Sequence, residues 1–253
     1  MTKSQYAAFT AFRDVFRKKV AEWSEYAEKL EPLQKAASRD DTPDYPLETA
    51  VVYNRALDDM SADDDIRLIV IGDNPGKDEQ LSKNNRYLVG QSGKIAEGFF
   101  RRNPELGVDF RKNVIILNKT PVHTAKTNHL RYLQKTDSEI GQLILDSQVW
   151  MARHTARLHQ ELAAGQTAGS GQTQMWLVGY AELKGRGVFL PYRDELKKSY
   201  DGSAAWNGVC VYQHFSMNRF SIDLQAFRNG HGSLTLAESL ERLGRMHRDE
   251  LFS

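Results

Sequence analysis

Hydrophobic and polar positions change rhythm several times along the chain. Between residues 4 and 30, Phe9, Phe12, Phe16, Val20, Trp23 and Leu30 recur at helical spacing, which predicts one long amphipathic helix. Its stripe is aromatic enough to predict burial against the rest of the molecule. The stretch ASRDDTPDYP (37–46) breaks the pattern at Pro43 and Pro46 and reads as a loop. Four short apolar runs follow, from Ile66 to Ile71, from Asn113 to Asn118, over 175–179 and over 208–214. Such runs fit strands buried on both faces. Helix-length segments separate them, so their order predicts a three-layer α/β/α fold with a central, mainly parallel four-stranded sheet.

The intervening pattern predicts helices from Gly93 to Arg102 and from Ser138 to Leu162. The second of these opens with the capping box Thr136-Asp137-Ser138-Glu139. Another capping box, Thr235 to Glu238, predicts a C-terminal helix over 233–250 with Leu236, Leu240, Leu243 and Met246 facing inward. The low-complexity stretch AAGQTAGSGQTQ (163–174) reads as a flexible connection. No internal repeat is visible. Residues 1–253 therefore read as a single domain with a core over about 66–220, a helical extension over 1–60 and a C-terminal helix.

Composition adds limits to this picture. Hydrophobic residues make up 40% of the 253 positions and charged residues 26%, a globular profile with enough apolar side chains for a sizeable core. The net charge of +1 announces no overall field for nucleic acid and leaves the distribution of charge to decide. Cys210 is the single cysteine, which excludes an intramolecular disulfide and a cluster held by several cysteines. The opening MTKSQYAAFTAFRD lacks the apolar core of a signal peptide. No run approaches the roughly 18 apolar residues of a membrane span. The expected location is cytoplasmic, with no membrane partner, and no pattern specifies an oligomeric state.

In open parallel sheets, ligands bind beyond the carboxyl ends of the strands. The first strand ends in Gly72-Asp73-Asn74-Pro75-Gly76, the second in Asn118-Lys119-Thr120-Pro121-Val122-His123, and the fourth in His214-Phe215-Ser216-Met217-Asn218-Arg219. The third, ending near Gly179-Tyr180, offers no comparable group. Between the first two lies NRYLVGQSGK (85–94), a glycine-containing loop that opens a helix. Each feature has a plain structural reading beside the functional one. Asn74 before proline is a common turn former, Asn118 can cap a turn, and a histidine at a strand end can be a satisfied donor.

Taken in chain order, GDNPG, NRYLVGQSG, VIILNKTPVHTA and HFSMNRFS resemble the motifs of the uracil-DNA glycosylase superfamily. GDNPG is most similar to the first motif of the mismatch-specific and single-strand-selective branches. The resemblance covers about 66–220 and implies a cofactor-free, metal-free monofunctional enzyme acting on DNA that contains a damaged base. It implies hydrolysis of the N-glycosidic bond of uracil or a related base, leaving an abasic site. It also implies catalytic roles for Asn74, which would position water, and for His214, which would donate a hydrogen bond to the departing base.

Asp73 is a further catalytic candidate as a carboxylate supplement. Adjacent residues of an extended segment point to opposite sides, so only one of Asp73 and Asn74 is expected to face the sugar. Asn118 would read the base, because its amide offers a donor and an acceptor to the N3–H and O4 of uracil. Gly72 and Pro75 complete the first motif. Leu88 stands where the family has a stacking phenylalanine, so either the preceding Tyr87 stacks on the base or an aliphatic wall replaces the ring. Gly90, Ser92, Gly93 and Lys94 at a helix start would contact phosphates, with Lys119 adding charge. Ser216, Met217, Asn218 and Arg219 occupy the place of the loop that fills the hole left by a flipped base, with Met217 or Arg219 as the wedge.

Two alternatives stand beside this reading. One is a non-catalytic module that binds a modified nucleotide or nucleic acid with the same fold and pocket; the other is an enzyme acting on a free nucleoside or other small ligand. Other features carry less. GQSGK lacks both the first glycine and the final Ser or Thr of a P-loop. His154 and His159 are poorly spaced for a shared metal, and His123 and His129 lack companion ligands. Arg101-Arg102 and Lys197-Lys198 read as solvated helix faces.

Overall fold

The structure is a computed structural model that describes residues 1–164 and 173–253. Most of the connection expected over 163–174 lies outside the described residues. Four strands, β1 (Leu68–Gly72), β2 (Val114–Asn118), β3 (Gln174–Val178) and β4 (Val209–Tyr212), form one sheet in the order β2-β1-β3-β4. Every pairing is parallel, and nearly every strand residue is buried, as runs without polar alternation require. The architecture is three-layer α/β/α.

Register sorts the side chains onto two faces. Gly72, Asn118, Trp176 and Tyr212 fall on one face. There Trp176 packs against Phe100 of α3 (Gln91–Arg102) and Phe220 of α7 (Arg219–Asn229). The Tyr212 hydroxyl donates to the Leu240 carbonyl in α8 (Leu236–Phe252). On the opposite face, Met175 lies beside Tyr200, which follows α6 (Leu190–Ser199). There α5 (Ser138–Ala164) packs with α6, with α4 (His129–Thr136) and with the N-terminal helix.

The N-terminal stripe is buried as expected, but the helix is divided into α1 (Lys3–Ser24) and α2 (Ala27–Ser38), separated at Glu25 and Tyr26. Phe12, Phe16 and Trp23 pack on Trp150 of α5. Helix α5 is capped by Asp137, whose Oδ1 accepts from the amides of Glu139 and Ile140. Thr136 is not the cap, because it ends α4 and its hydroxyl is turned back to the Tyr132 carbonyl. The box from Thr235 to Glu238 forms in both directions. Leu236, Leu240 and Leu243 are buried, whereas Met246 lies on the outer face and is half exposed.

Candidate functional site

The carboxyl ends of all four strands open into a cleft of about 440 Å³. Its lining brings together Asp73, Asn74, Leu88, Ser92, Asn118, His214, Ser216, Met217 and Arg219. Residues more than 140 positions apart thus converge because parallel strands all end on the same side of the sheet.

Asn118 is the last residue of β2, 2% exposed, and its Nδ2 is buried without a hydrogen-bond partner. Buried amides are rarely left so. Room for this side chain comes from Gly72, its register partner on β1, where a Cβ would lie 2.4 Å from Asn118 Oδ1. Gly72 therefore shapes the cleft from beneath. Pro75 is also buried, its carbonyl accepting from the Thr124 amide at 3.3 Å and from His123 Nδ1 at 2.8 Å.

Asp73 and Asn74 both line the cleft, contrary to the alternation expected of an extended segment. The strand ends at Gly72 and the chain bends through 73–74, so the two side chains no longer oppose each other. Asn74 Nδ2 donates to Thr124 Oγ1 at 2.8 Å and reaches the Val122 carbonyl at 3.3 Å. With its donor committed, the amide has its Oδ1 left as an acceptor.

Lys119 departs from its expected place at a DNA backbone. It is fully buried, and Nζ donates to Asp73 Oδ1 at 2.6 Å, to the Val178 carbonyl at 2.5 Å and to the Gly72 carbonyl at 3.3 Å. Three donors meet three acceptors above the Phe189 ring. Burial pulls the ammonium's pKa down, and Asp73 pulls it back. The end of β3 makes room for this pair: Gly179 has φ +96°, and a Cβ there would lie 2.2 Å from Asp73 Oδ1. The third strand thus contributes a space, together with Glu182 beyond it on the lining.

The amide of Ser216 donates to His214 Nδ1 at 3.1 Å. Nδ1 is therefore the acceptor, and in the neutral ring the proton sits on Nε2. Burial lowers the pKa of this imidazole, with Asp73 opposing and Lys119 adding to the effect, so near neutral pH it is an uncharged donor. Met217, 70% exposed, and Asn218 both have positive φ, 53° and 56°. Consecutive left-handed residues turn this loop outward. Met217 and Arg219 line the cleft, whereas Asn218 is exposed outside it.

The glycine-containing loop divides its residues between two sides. Leu88 lines the cleft; Tyr87 is buried on the other side with its hydroxyl on the Val52 carbonyl at 2.6 Å. Of the two, only Leu88 faces the cleft. Leu88 has φ +51°, costly for a side chain with a Cβ. It is held by its amide on Glu79 Oε1 and its carbonyl on Arg111 Nη2, both at 2.9 Å. At Gly93 the first turn of α3 lies directly on the Leu88 carbonyl, where a Cβ would come within 1.6 Å of its oxygen. Gly90 is the N-cap and supplies no side chain. Lys94 points to a separate hollow with Arg86, Arg111 and Lys112.

Several lining residues carried no signal in the sequence. Glu79 accepts from the amides of Leu88 and Gly76, and burial raises its pKa to about 7 against those two bonds. Thr124 anchors Asn74, and Lys126, Thr127, Glu182 and Gln213 complete the polar rim. Lys126 is paired with Asp41 at 2.9 Å. No Phe, Tyr or Trp is among the described lining residues. His123 is a structural donor, Nδ1 to the Pro75 carbonyl with Tyr45 on Nε2. Among the described residues no cluster of His, Cys, Asp and Glu could hold a metal ion, and no helix is long and apolar enough to cross a membrane.

Comparison with protein-family models, with curated proteins and with solved structures finds no match. The cleft itself thus carries the functional argument: an unpartnered amide, a neutral imidazole donor and a carboxylate sharing one polar opening.

Proposed function

We propose that the chain is a DNA glycosylase that hydrolyses the N-glycosidic bond of uracil or a related damaged base and leaves an abasic site. The observation that carries this reading is the Asn118 amide, buried at a cleft wall with its Nδ2 unpartnered. A flipped base supplies the missing partner, since O4 accepts from Nδ2 while N3–H donates to Oδ1. Leu88 forms the apolar wall. As the bond breaks, its electron pair leaves with the base, and His214 Nε2–H donates to the base oxygen where negative charge grows. Asn74 Oδ1 orients a water whose oxygen bonds to the sugar carbon and whose released proton ends on the departed base, neutralising it. Met217, apolar and exposed on an outward-turned loop, suits the hole left in the duplex. Exposed Arg219 and the uncapped start of α3 suit the phosphates.

The test is base release from oligonucleotides carrying one uracil, unpaired or opposite guanine, read as strand breaks after hot alkali. We expect cleavage by the wild type and losses of at least ~100-fold in Asn118→Ala and His214→Ala. No release at high enzyme concentration removes uracil as substrate, and the same assay is then run on other damaged bases. The absence of Phe, Tyr and Trp from the described lining favours a second reading, a module that binds a modified nucleotide without cleaving it. Tight binding with no product from any base would select it.

A further inference from the structure

Asp73 and Lys119 form a polar unit with a direction. The carboxylate lines the cleft, while the ammonium is entirely buried behind it and bonded to it at 2.6 Å. Lys119 has no freedom to turn away, because the Val178 and Gly72 carbonyls take its other protons and the Phe189 ring lies against it. Gly179 leaves the space in which Asp73 sits. The cleft therefore meets the negative end of a fixed dipole. Asn74, the other candidate at this strand end, has its donor tied to Thr124 and carries no charge.

We propose that Lys119 is the positioning residue that holds the Asp73 carboxylate aimed into the cleft, where it faces positive charge developing on the sugar. This rests on the glycosylase reading and deepens it, adding to the water held by Asn74 a charge that faces the sugar. The Lys119 ammonium is the bond that fixes the carboxylate in place, so removal of Lys119 frees Asp73 to turn from the cleft without touching the ligand. Fixed charge aimed where a transition state develops charge needs no reorganisation during the reaction.

The experiment measures binding and is independent of which base is excised. Two oligonucleotides differ only at an abasic position, one carrying a neutral tetrahydrofuran ring and the other a cationic pyrrolidine ring. The wild type is expected to bind the pyrrolidine strand at least ~10-fold more tightly. Asp73→Asn and Lys119→Gln are each expected to bring that preference, the ratio of the two affinities in the same variant, within about threefold. A preference that survives Asp73→Asn overturns the role of Asp73, and one that survives in folded Lys119→Gln overturns that of Lys119. Should Lys119→Gln fail to fold, Asp73→Asn/Lys119→Gln is expected to fold, since no unpaired buried charge remains; failure of the double variant as well reduces Lys119 to packing and overturns the proposal. Equal wild-type binding of both rings, tighter than undamaged DNA, overturns this inference alone. No binding beyond that of undamaged DNA removes the glycosylase reading and this inference with it.

Discussion

His123, His159 and Glu79 are buried groups whose protonation the fold controls in opposite directions. His123 donates from Nδ1 to the Pro75 carbonyl, and His159 from Nε2 to the Thr173 carbonyl. Burial lowers both pKa values to about 4. Between pH 6.5 and 4 the unfolded chain binds these two protons and the folded chain does not, so stability is lost as pH falls through that window. Each contributes on the order of 3 kcal/mol. Glu79, raised to about 7, works the other way: the folded chain keeps its proton between pH 4.5 and 7 while the unfolded chain releases it, so stability from this group falls as pH rises. Two histidines outweigh one carboxyl of similar shift. Urea denaturation from pH 7 to 4 should show a net loss of stability on acidification, steeper in Glu79→Gln. An unchanged slope in that variant would argue against the assignment of Glu79.

At the scale of elements, two glycines separate fold from site. Gly93 lets α3 start directly on the carbonyl of Leu88, so Gly93→Ala forces a Cβ against that backbone oxygen at 1.6 Å. We expect it to destabilise the protein by about 3 kcal/mol or more, in the range of severe overpacking, measured as a lowered denaturation midpoint. Gly72→Ala meets the side chain of Asn118 instead. That amide can turn aside, so we expect a smaller stability loss, about 1–2 kcal/mol, with loss of base release of at least ~100-fold. Similar losses of stability and activity in the two variants would contradict this separation. The elements themselves were largely legible. Four uninterrupted apolar runs marked all four strands, because both sheet faces are covered. The expected single N-terminal helix failed at Glu25–Tyr26 because the apolar stripe continues through the break, from Trp23 to Leu30. Thr136 and Asp137 are both good caps by residue type, and only the end of α4 decides between them.

Across the whole molecule, the N-terminal extension supports the cleft without lining it. Gln34 of α2, 1% exposed, donates from Nε2 to the carbonyls of Ala50 and His123. Asp41 bonds His129 and pairs with Lys126. These contacts brace the segment that carries Thr124, and Thr124 in turn holds Asn74. Gln34→Leu leaves two carbonyls without this donor and should cost about 2 kcal/mol. Amide hydrogen exchange at Val122, His123 and Thr124 should accelerate more than at Leu68 to Gly72. Uniform acceleration would reduce Gln34 to a global stabiliser.

The chain by itself determined the layers, the parallel sheet and the strand ends at which polar side chains would gather. Hydrophobic periodicity and capping residues are local, and they act on the chain before any distant contact forms. Tertiary structure alone decided which polar side chains face the cleft. Asp73 and Asn74 share one side because the chain bends after Gly72, while Lys119, adjacent to Asn118, turns inward to a carboxylate 46 positions earlier. Tyr87 and Leu88 part to opposite sides of one loop because a carboxylate and a guanidinium hold Leu88 in a left-handed backbone. Glu79, Thr124 and the space at Gly179 belong to the site only through partners brought close by folding, and a linear pattern does not record such distances.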